Sequence, residues 1–278
     1  MTLKRTHYRP TCAVITGASQ GLGRAFAEEC AGRGMSLLLV ALPDTGLPDV
    51  ARLLGRTWAV RIETLEMDLT LPEAPRRLED GLRAWGMEPD MLINNAGVGY
   101  TNSFGDSLPA QNETTIQLNI AALVRVVQSQ LPALRSRHRA WVLNVASLGA
   151  FYPMPSMPVY SSTKSFILDF SLLLREELRG STVSVSVLCP NGIRTNPGAR
   201  ALIERQGWAG RVTCQYPDEV ARAGLDGLLR NRAVIVPGTM NRVLRRVRPL
   251  VPRFLFLRLI ARRWGTRDTG LRPLPARA

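Results

Sequence analysis

Three side chains in this sequence have the types and spacing of a proton-transfer unit. Tyr160 and Lys164 stand four apart in Tyr160-Ser-Ser-Thr-Lys164, and Ser147 lies thirteen residues upstream. On a helix, positions i and i+4 share a face, so a phenol and an ammonium so placed converge on one point. A free phenol has a pKa of about 10, too high for ready proton exchange near neutrality. A nearby ammonium, and the positive end of a helix that starts near Tyr160, would both favour phenolate and lower that value. The lysine stands out, because only Lys4 and Lys164 are lysine among thirty-six basic residues. An amphipathic surface helix can carry the same pair by chance, so the elements around it must decide.

Those elements alternate. Cys12–Thr16 reads as a short apolar strand, followed at once by Gly17-Ala-Ser19-Gln20-Gly21-Leu22-Gly23 and a helix from Arg24 to Arg33, with Gly34 closing it. Strand, glycine-rich turn and helix give a weak glycine pattern its meaning: Gly17 permits the tight turn, and Gly21 and Gly23 allow a pyrophosphate close to the helix start. Further apolar strands are expected at 36–41, 61–67, 91–93, 141–146, 182–188 and 233–236. Helices are expected at 72–85, 111–137, 159–179 and 218–230. Such alternation predicts a parallel doubly wound α/β sheet, because right-handed crossovers leave few other topologies. Ligands of such sheets bind beyond the carboxyl ends of the strands. Gly17, Asp68, Asn94, Ser147 and Thr195 all fall at such ends.

Composition narrows the chemistry. Two histidines, His7 and His138, and four cysteines without C-x-x-C spacing leave little material for a metal site or a histidine-dependent triad. The cysteines in apolar runs read as free thiols in a reducing compartment. The N-terminus has charge but no apolar run, so no secretory signal is expected, and no stretch is apolar enough to span a bilayer. The net charge of +14 is uneven: Asn241 to Ala278 holds eleven arginines against Asp268 alone. No nucleic-acid motif accompanies it, so nucleic acid is not an expected partner.

These residues carry a family likeness. Thr16-Gly-x-x-x-Gly21-x-Gly23, Asp68, Asn94-Asn-Ala96-Gly97, Asn119, Ser147, Tyr160-x-x-x-Lys164 and Pro190-x-Gly192-x-x-Thr195 resemble the short-chain dehydrogenase/reductase family over residues 10–240. The resemblance implies a Rossmann-like domain over 1–240, with residues 241–278 as a basic, partly apolar extension. It implies an NAD(P)-dependent oxidoreductase that interconverts ketone and alcohol with Asn119, Ser147, Tyr160 and Lys164 as its catalytic set. Tyr160 would exchange the proton, Ser147 would hold the carbonyl oxygen, and Lys164 would bond the nicotinamide ribose and depress the tyrosine pKa. Asn119 would anchor a water that links Lys164 to solvent. The same resemblance assigns cofactor binding to Gly17, Ser19, Gln20, Gly21, Leu22, Gly23, Asp68 (adenine) and Asn94 (adenosine ribose, through its backbone). Ala96, Gly97, Tyr160, Lys164, Pro190, Gly192, Ile193 and Thr195 complete it, the last two fixing the nicotinamide carboxamide. A homo-oligomer and a cytoplasmic location are expected.

Two departures matter. Asn191 follows Pro190 where the family has glycine; Asn tolerates left-handed backbone, so the turn survives. After Ala41 stand Leu42-Pro43-Asp44, with no acid directly at the strand end to repel a 2′-phosphate and no arginine to bind one; with Arg24 in the vicinity the reading leans to NADP over NAD. Loops at 98–104, 148–157 and 196–212 carry Phe151, Tyr152, Met154, Met157, Leu202, Ile203 and Trp208. That lining suits a lipid-like, steroid-like or acyl ketone, or packs a lid or subunit contact. The tail through Trp264 interleaves arginine with Leu and Phe, which fits a membrane surface or packing over the substrate mouth. The rival reading is a catalytically idle dinucleotide-binding scaffold that acts through this tail.

Overall fold

The computed structural model describes residues 9–101, 104–152, 154, 157–194, 213–247, 252 and 257–258. Seven strands form one parallel sheet: β1 Cys12–Thr16, β2 Ser36–Ala41, β3 Ile62–Glu66, β4 Met91–Asn94, β5 Ala140–Val145, β6 Val183–Leu188 and β7 Val234–Ile235. Their spatial order is β3-β2-β1-β4-β5-β6-β7. The chain winds outward from β1 in one direction, then returns to start again at β4 on its other side. A crevice opens where the winding reverses, between the ends of β1 and β4.

Side-chain alternation along the strands builds two apolar layers. From β1, Val14 faces the layer that contains Leu38, Leu92, Val142 and Val185, while Ala13 and Ile15 face the layer of Leu37, Met91, Ile93 and Leu143. The first layer is covered by α3 (Ala74–Ala84), α5 (Leu123–Arg135) and α6 (Pro158–Glu177). The second is covered by α1 (Gly21–Gly32), α2 (Leu47–Trp58) and α7 (Pro217–Leu229). Phe26 of α1 is wholly buried between the sheet and α7; complete burial of such a ring contributes roughly 1.5–3 kcal/mol.

Two features depart from the sequence reading. Leu47–Trp58 is a helix that no expectation covered; Leu47, Val50 and Leu54 form its buried stripe, one apolar residue per turn being a faint periodic signal. The expected helix over 111–137 is interrupted. It begins as α4 (Pro109–Ile116), widens into a π turn over Gln117–Ala122, and resumes as α5. Leu118-Asn119-Ile120 has ordinary helical composition, so nothing in its pattern announces the insertion. A last helix, α8 (Thr239–Val247), follows β7. Among the described residues, no helix is long and apolar enough to cross a membrane.

Candidate active site

The glycine turn is held by the strand beside it. Thr16 Oγ1 accepts from the backbone N–H groups of Asn95 (3.0 Å) and Ala96 (3.1 Å), and Asn95 Nδ2 donates to the carbonyls of Thr16 (3.0 Å) and Gly17 (3.2 Å). Gly17 and Gly21 have positive φ of 65° and 55°, a region L side chains rarely adopt. At Gly23 a Cβ would lie 1.9 Å from the Gly17 carbonyl oxygen, so the helix start and the turn are in direct backbone contact. The first turn of α1 contains no acid to compete for its N–H groups.

A cavity of about 600 Å³ fills the crevice. Gly17, Ser19, Gln20, Gly21 and Leu22 form one wall, Leu42 and Asp68 one end, and Ala96 and Gly97 the other, with Glu113 and Gln117 along the rim. Asp68 Oδ1 accepts from Thr70 N and Thr70 Oγ1 at 2.8 and 2.7 Å, which fixes the loop at that end. The Asn94 side-chain amide donates to Asn144 Oδ1 at 2.9 Å inside the sheet, which leaves only its backbone for the crevice, and Asn95, which the sequence reading passed over, lines the cavity. The side chain of the last residue of β4 alternates inward, and the next turns to the crevice.

Two of the residues expected to handle the proton, Asn119 and Lys164, meet where Gly97 ends the cavity. A Cβ on Gly97 would stand 3.0 Å from Asn119 Oδ1 and 3.3 Å from Lys164 Nζ, so the missing side chain is what admits both. Asn119, fully buried on the π turn, clamps Val98: Oδ1 accepts from Val98 N and Nδ2 donates to Val98 O, both 2.9 Å. Nδ2 also donates to Thr163 Oγ1 at 3.0 Å, and that hydroxyl donates to the Tyr160 carbonyl at 2.8 Å. The π turn is thereby tied to the first turn of α6. Ser147 caps a short 3-10 turn, Leu148–Ala150, its Oγ accepting from Gly149 N at 3.0 Å.

The electrostatics differ from the sequence expectation. Lys164 does converge with Tyr160, its Nζ lying 5.6 Å from the ring centroid. Yet burial pushes the Tyr160 phenol above its ordinary value, with the Ser147 hydroxyl pulling the other way. Lys164 is itself 4% exposed, its Nζ donating to Val145 O at 2.9 Å, and burial lowers its pKa to about 8. It is therefore still a cation at neutral pH, and Tyr160 a neutral phenol.

That desolvation is measurable as stability. Lys164 has its pKa lowered from 10.5 to about 8, so the folded chain binds fewer protons than the unfolded one between those values, and stability should rise with pH there. The slope is at most about 1.4 kcal/mol per pH unit. The buried Cys189 and Cys30 thiols, pushed from 9.0 to about 12, act oppositely above pH 9, as does the raised Tyr160 phenol above its ordinary 10.0. The clean window is pH 8–9. Urea denaturation of the unmodified protein and Lys164→Met should show the former gaining relative to the variant across that window. A pH-independent difference would mean the ammonium is not desolvated.

The remaining expected residues lie beyond β6. Pro190 O accepts from Leu148 N at 2.7 Å, joining this loop to the Ser147 turn. Gly192 and Ile193 pair with Gln215, and Ile193 packs against the second apolar layer. Thr195 lies outside the described residues, as do Leu202, Ile203 and Trp208 of the expected lid and most of the tail beyond Val247, including Trp264. Of the expected substrate-side residues, Phe151 and Tyr152 pack partly into the first layer and Met157 borders a small cavity beside Tyr160.

Comparison with known proteins gives the site its lineage. The "short chain dehydrogenase" family profile matches residues 11–204. The very-long-chain 3-oxoacyl-CoA reductase-A of Danio rerio is 32% identical over 187 residues, 66% of this chain and 58% of that protein. The 17-beta-hydroxysteroid dehydrogenase type 3 of Homo sapiens is 31% identical over 185 residues, 66% of this chain and 59% of that one. The chain thus matches less than two thirds of the length of these relatives. The solved short-chain dehydrogenase from Sphingobium yanoikuyae in complex with NADPH superposes with a TM-score of 0.73 at 32% identity, covering 81% of this chain and 87% of that one. With the profile matched from β1 past the Pro190–Gly192 loop, and the sheet and crevice in place, the chain belongs to the short-chain dehydrogenase/reductase family.

Proposed function

We propose that this protein is an NADP-preferring carbonyl reductase and alcohol dehydrogenase acting on apolar substrates. Asn119, Ser147, Tyr160 and Lys164 are its catalytic set. The observation that carries this reading is the meeting of Lys164, Asn119 and the Tyr160 turn at Gly97, the end of a crevice built from a glycine turn. The cradle suits a dinucleotide: positive-φ glycines let the chain approach a pyrophosphate, and the acid-free start of α1 offers N–H groups to it. Gly17, Ser19, Gln20, Gly21, Leu22 and Gly23 would hold the phosphates, Asp68 the adenine, Ala96 and Gly97 the ribose side, and Pro190, Gly192, Ile193 and Thr195 the nicotinamide end. Bound NADPH would supply the hydride for the carbonyl carbon.

The chain's own groups do the rest. Ser147 Oγ accepts from Gly149 N and turns its proton towards the Tyr160 oxygen, where an incoming carbonyl oxygen would receive it. Tyr160, kept neutral by burial, gives its proton to the same oxygen as the alcohol forms. The phenolate that results lies near the Lys164 cation. The Lys164 Nζ lies 5.6 Å from the centroid of the ring that carries this charge, so the two attract. Asn119 uses its side chain on Val98 and Thr163, so any water it anchors to resupply Lys164 meets its backbone. A screen of apolar ketones for NADPH oxidation tests the reading. Tight NADPH binding with no turnover would favour the idle scaffold instead.

Cofactor choice has its own test. Leu42, 37% exposed, lines the cavity end where an adenosine ribose would sit. Leu42→Asp should move the NADPH/NADH affinity ratio towards NADH by about tenfold, the effect of one solvent-facing charge of about 1.4 kcal/mol. If the unmodified protein binds NADH more tightly than NADPH in a fluorescence titration, the NADP preference is wrong. Homo-oligomerisation and membrane contact remain part of the proposal; the latter rests on residues beyond Val247.

A further inference from the structure

The helix α8 lies outside the segment matched by the family profile. It is nonetheless built onto the site. Asn241, 1% exposed, donates through Nδ2 to the carbonyls of Thr213 (2.9 Å) and Pro237 (3.1 Å), and its Oδ1 accepts from Asn191 Nδ2 at 3.4 Å. Asn191 belongs to the loop that Pro190 ties to the Ser147 turn. One turn on, and so on the same face as Asn241, is Arg245.

Arg245 is half-buried, and its guanidinium carbon lies 5.2 Å from the centroid of the Phe151 ring. Phe151 closes the 3-10 turn that Ser147 opens, and it packs against the first apolar layer, so the platform is firm. Burial raises the Cys189 thiol at the end of β6, and the charges of Arg245 and Lys164 both pull the other way, so the two cations lie about the same residue. Of the other part-buried arginines, Arg33 is matched to Glu29 and Asp226 and Arg137 to Glu88, Arg125 and Arg175 donate to backbone carbonyls, and Arg139 and Arg194 stack on Trp141 and Tyr216. Among the described residues Arg245 has no carboxylate and no hydrogen-bond acceptor, and α8 carries Arg242 and Arg246 but no acid. A stacked guanidinium is held in plane while its fork of N–H donors stays open to a planar or tetrahedral oxyanion.

We infer that Arg245 is a specificity residue: the substrate is an apolar carbonyl compound that carries an oxyanion, carboxylate or phosphate, remote from its carbonyl, and the Arg245 fork binds it. The inference rests on the proposed reductase reading, which supplies the carbonyl. It narrows the substrate from apolar ketones in general to amphiphilic anions. A neutral ketone of the same shape would leave the half-buried cation unanswered.

The test uses the full-length protein with NADPH and a ladder of (ω−1)-oxoalkanoates, each beside its methyl ester, with an (ω−1)-oxoalkyl phosphate of matching length. Calorimetric titration should show the carboxylate or the phosphate binding more tightly than the ester at some chain length by about 10- to 100-fold, the worth of a charge-assisted hydrogen bond. Arg245→Gln should abolish that preference and leave ester affinity unchanged, and Arg245→Lys should restore part of it. A preference that survives Arg245→Gln, or its absence in the unmodified protein at every length, overturns the inference. So does equal weakening of ester and anion, which is the signature of a structural role for α8. Loss of sedimentation with phosphatidylserine vesicles, with the carboxylate preference intact, would place Arg245 at a membrane and also overturn it. Turnover of the same ladder separates the two proposals. Anion preference without turnover sinks the reductase reading and leaves Arg245 standing, while turnover of ester and anion alike does the reverse.

Discussion

Tyr160→Phe is expected to reduce ketone turnover by about a hundredfold to ten-thousandfold, the contribution of a placed general acid, while leaving the Kd for NADPH within about twofold. The hydroxyl is the one atom removed, and the ring keeps its seat beside Gly99. Burial keeps that hydroxyl protonated at neutral pH, so reduction begins with the proton already on the donor. Oxidation of the alcohol needs the phenolate, and its rate should climb with pH across and above neutrality, where reduction is flat or falls. The variant should lose both directions together. Residual turnover within about tenfold of the unmodified enzyme would mean that another group, or solvent, delivers the proton, and the proposed set would be wrong.

Much of this fold is legible in the sequence because parallel strands buried on both faces leave a strong mark. Ser36–Ala41 and Ala140–Val145 are runs of apolar residues bounded by turns, and both are central strands. What stays hidden is whatever depends on tertiary context. The π turn at Gln117–Ala122 presents the Asn119 amide to Val98 and Thr163, partners from two other elements. The neighbouring asparagines of Asn94-Asn95 look interchangeable in sequence. Strand alternation sends the first into the sheet, to Asn144 and through it to Ser171 of α6, and the second to the glycine turn. The raised phenol escapes too. Spacing says that Lys164 is near Tyr160, but only packing says how much water has been removed from both. Arg245, ninety-four residues from Phe151, gives no local signal beyond basic composition.

Gly99→Ala is the sharpest test of how the tyrosine is placed. A Cβ at position 99 would lie 2.4 Å from Tyr160 Cδ2 and 2.9 Å from both Cε2 and Cγ. Contacts that short reach back to the root of the ring, so no rotation of a flexible side-chain end relieves them. Either the ring or the 97–99 segment must move. That segment is held by the Asn119 clamp on Val98, which Thr163 ties to the Tyr160 backbone, so the ring is the part that yields. Gly99 is not among the residues of positive φ, so the effect is steric and not one of backbone strain. A displacement near 1 Å of a reacting group costs about a hundredfold in rate, so kcat should fall by about that factor. Overpacking should lower stability by about 1–3 kcal/mol, which thermal denaturation will show alongside. NADPH affinity should hold, since the cavity lining that makes up the phosphate and adenine ends does not include Gly99. Gly105→Ala, where a Cβ meets nothing within 4 Å, serves as the control and should leave kcat unchanged. If Gly99→Ala retains full kcat, the ring tolerates displacement, and the 97–99 segment does not set the position from which Tyr160 gives its proton.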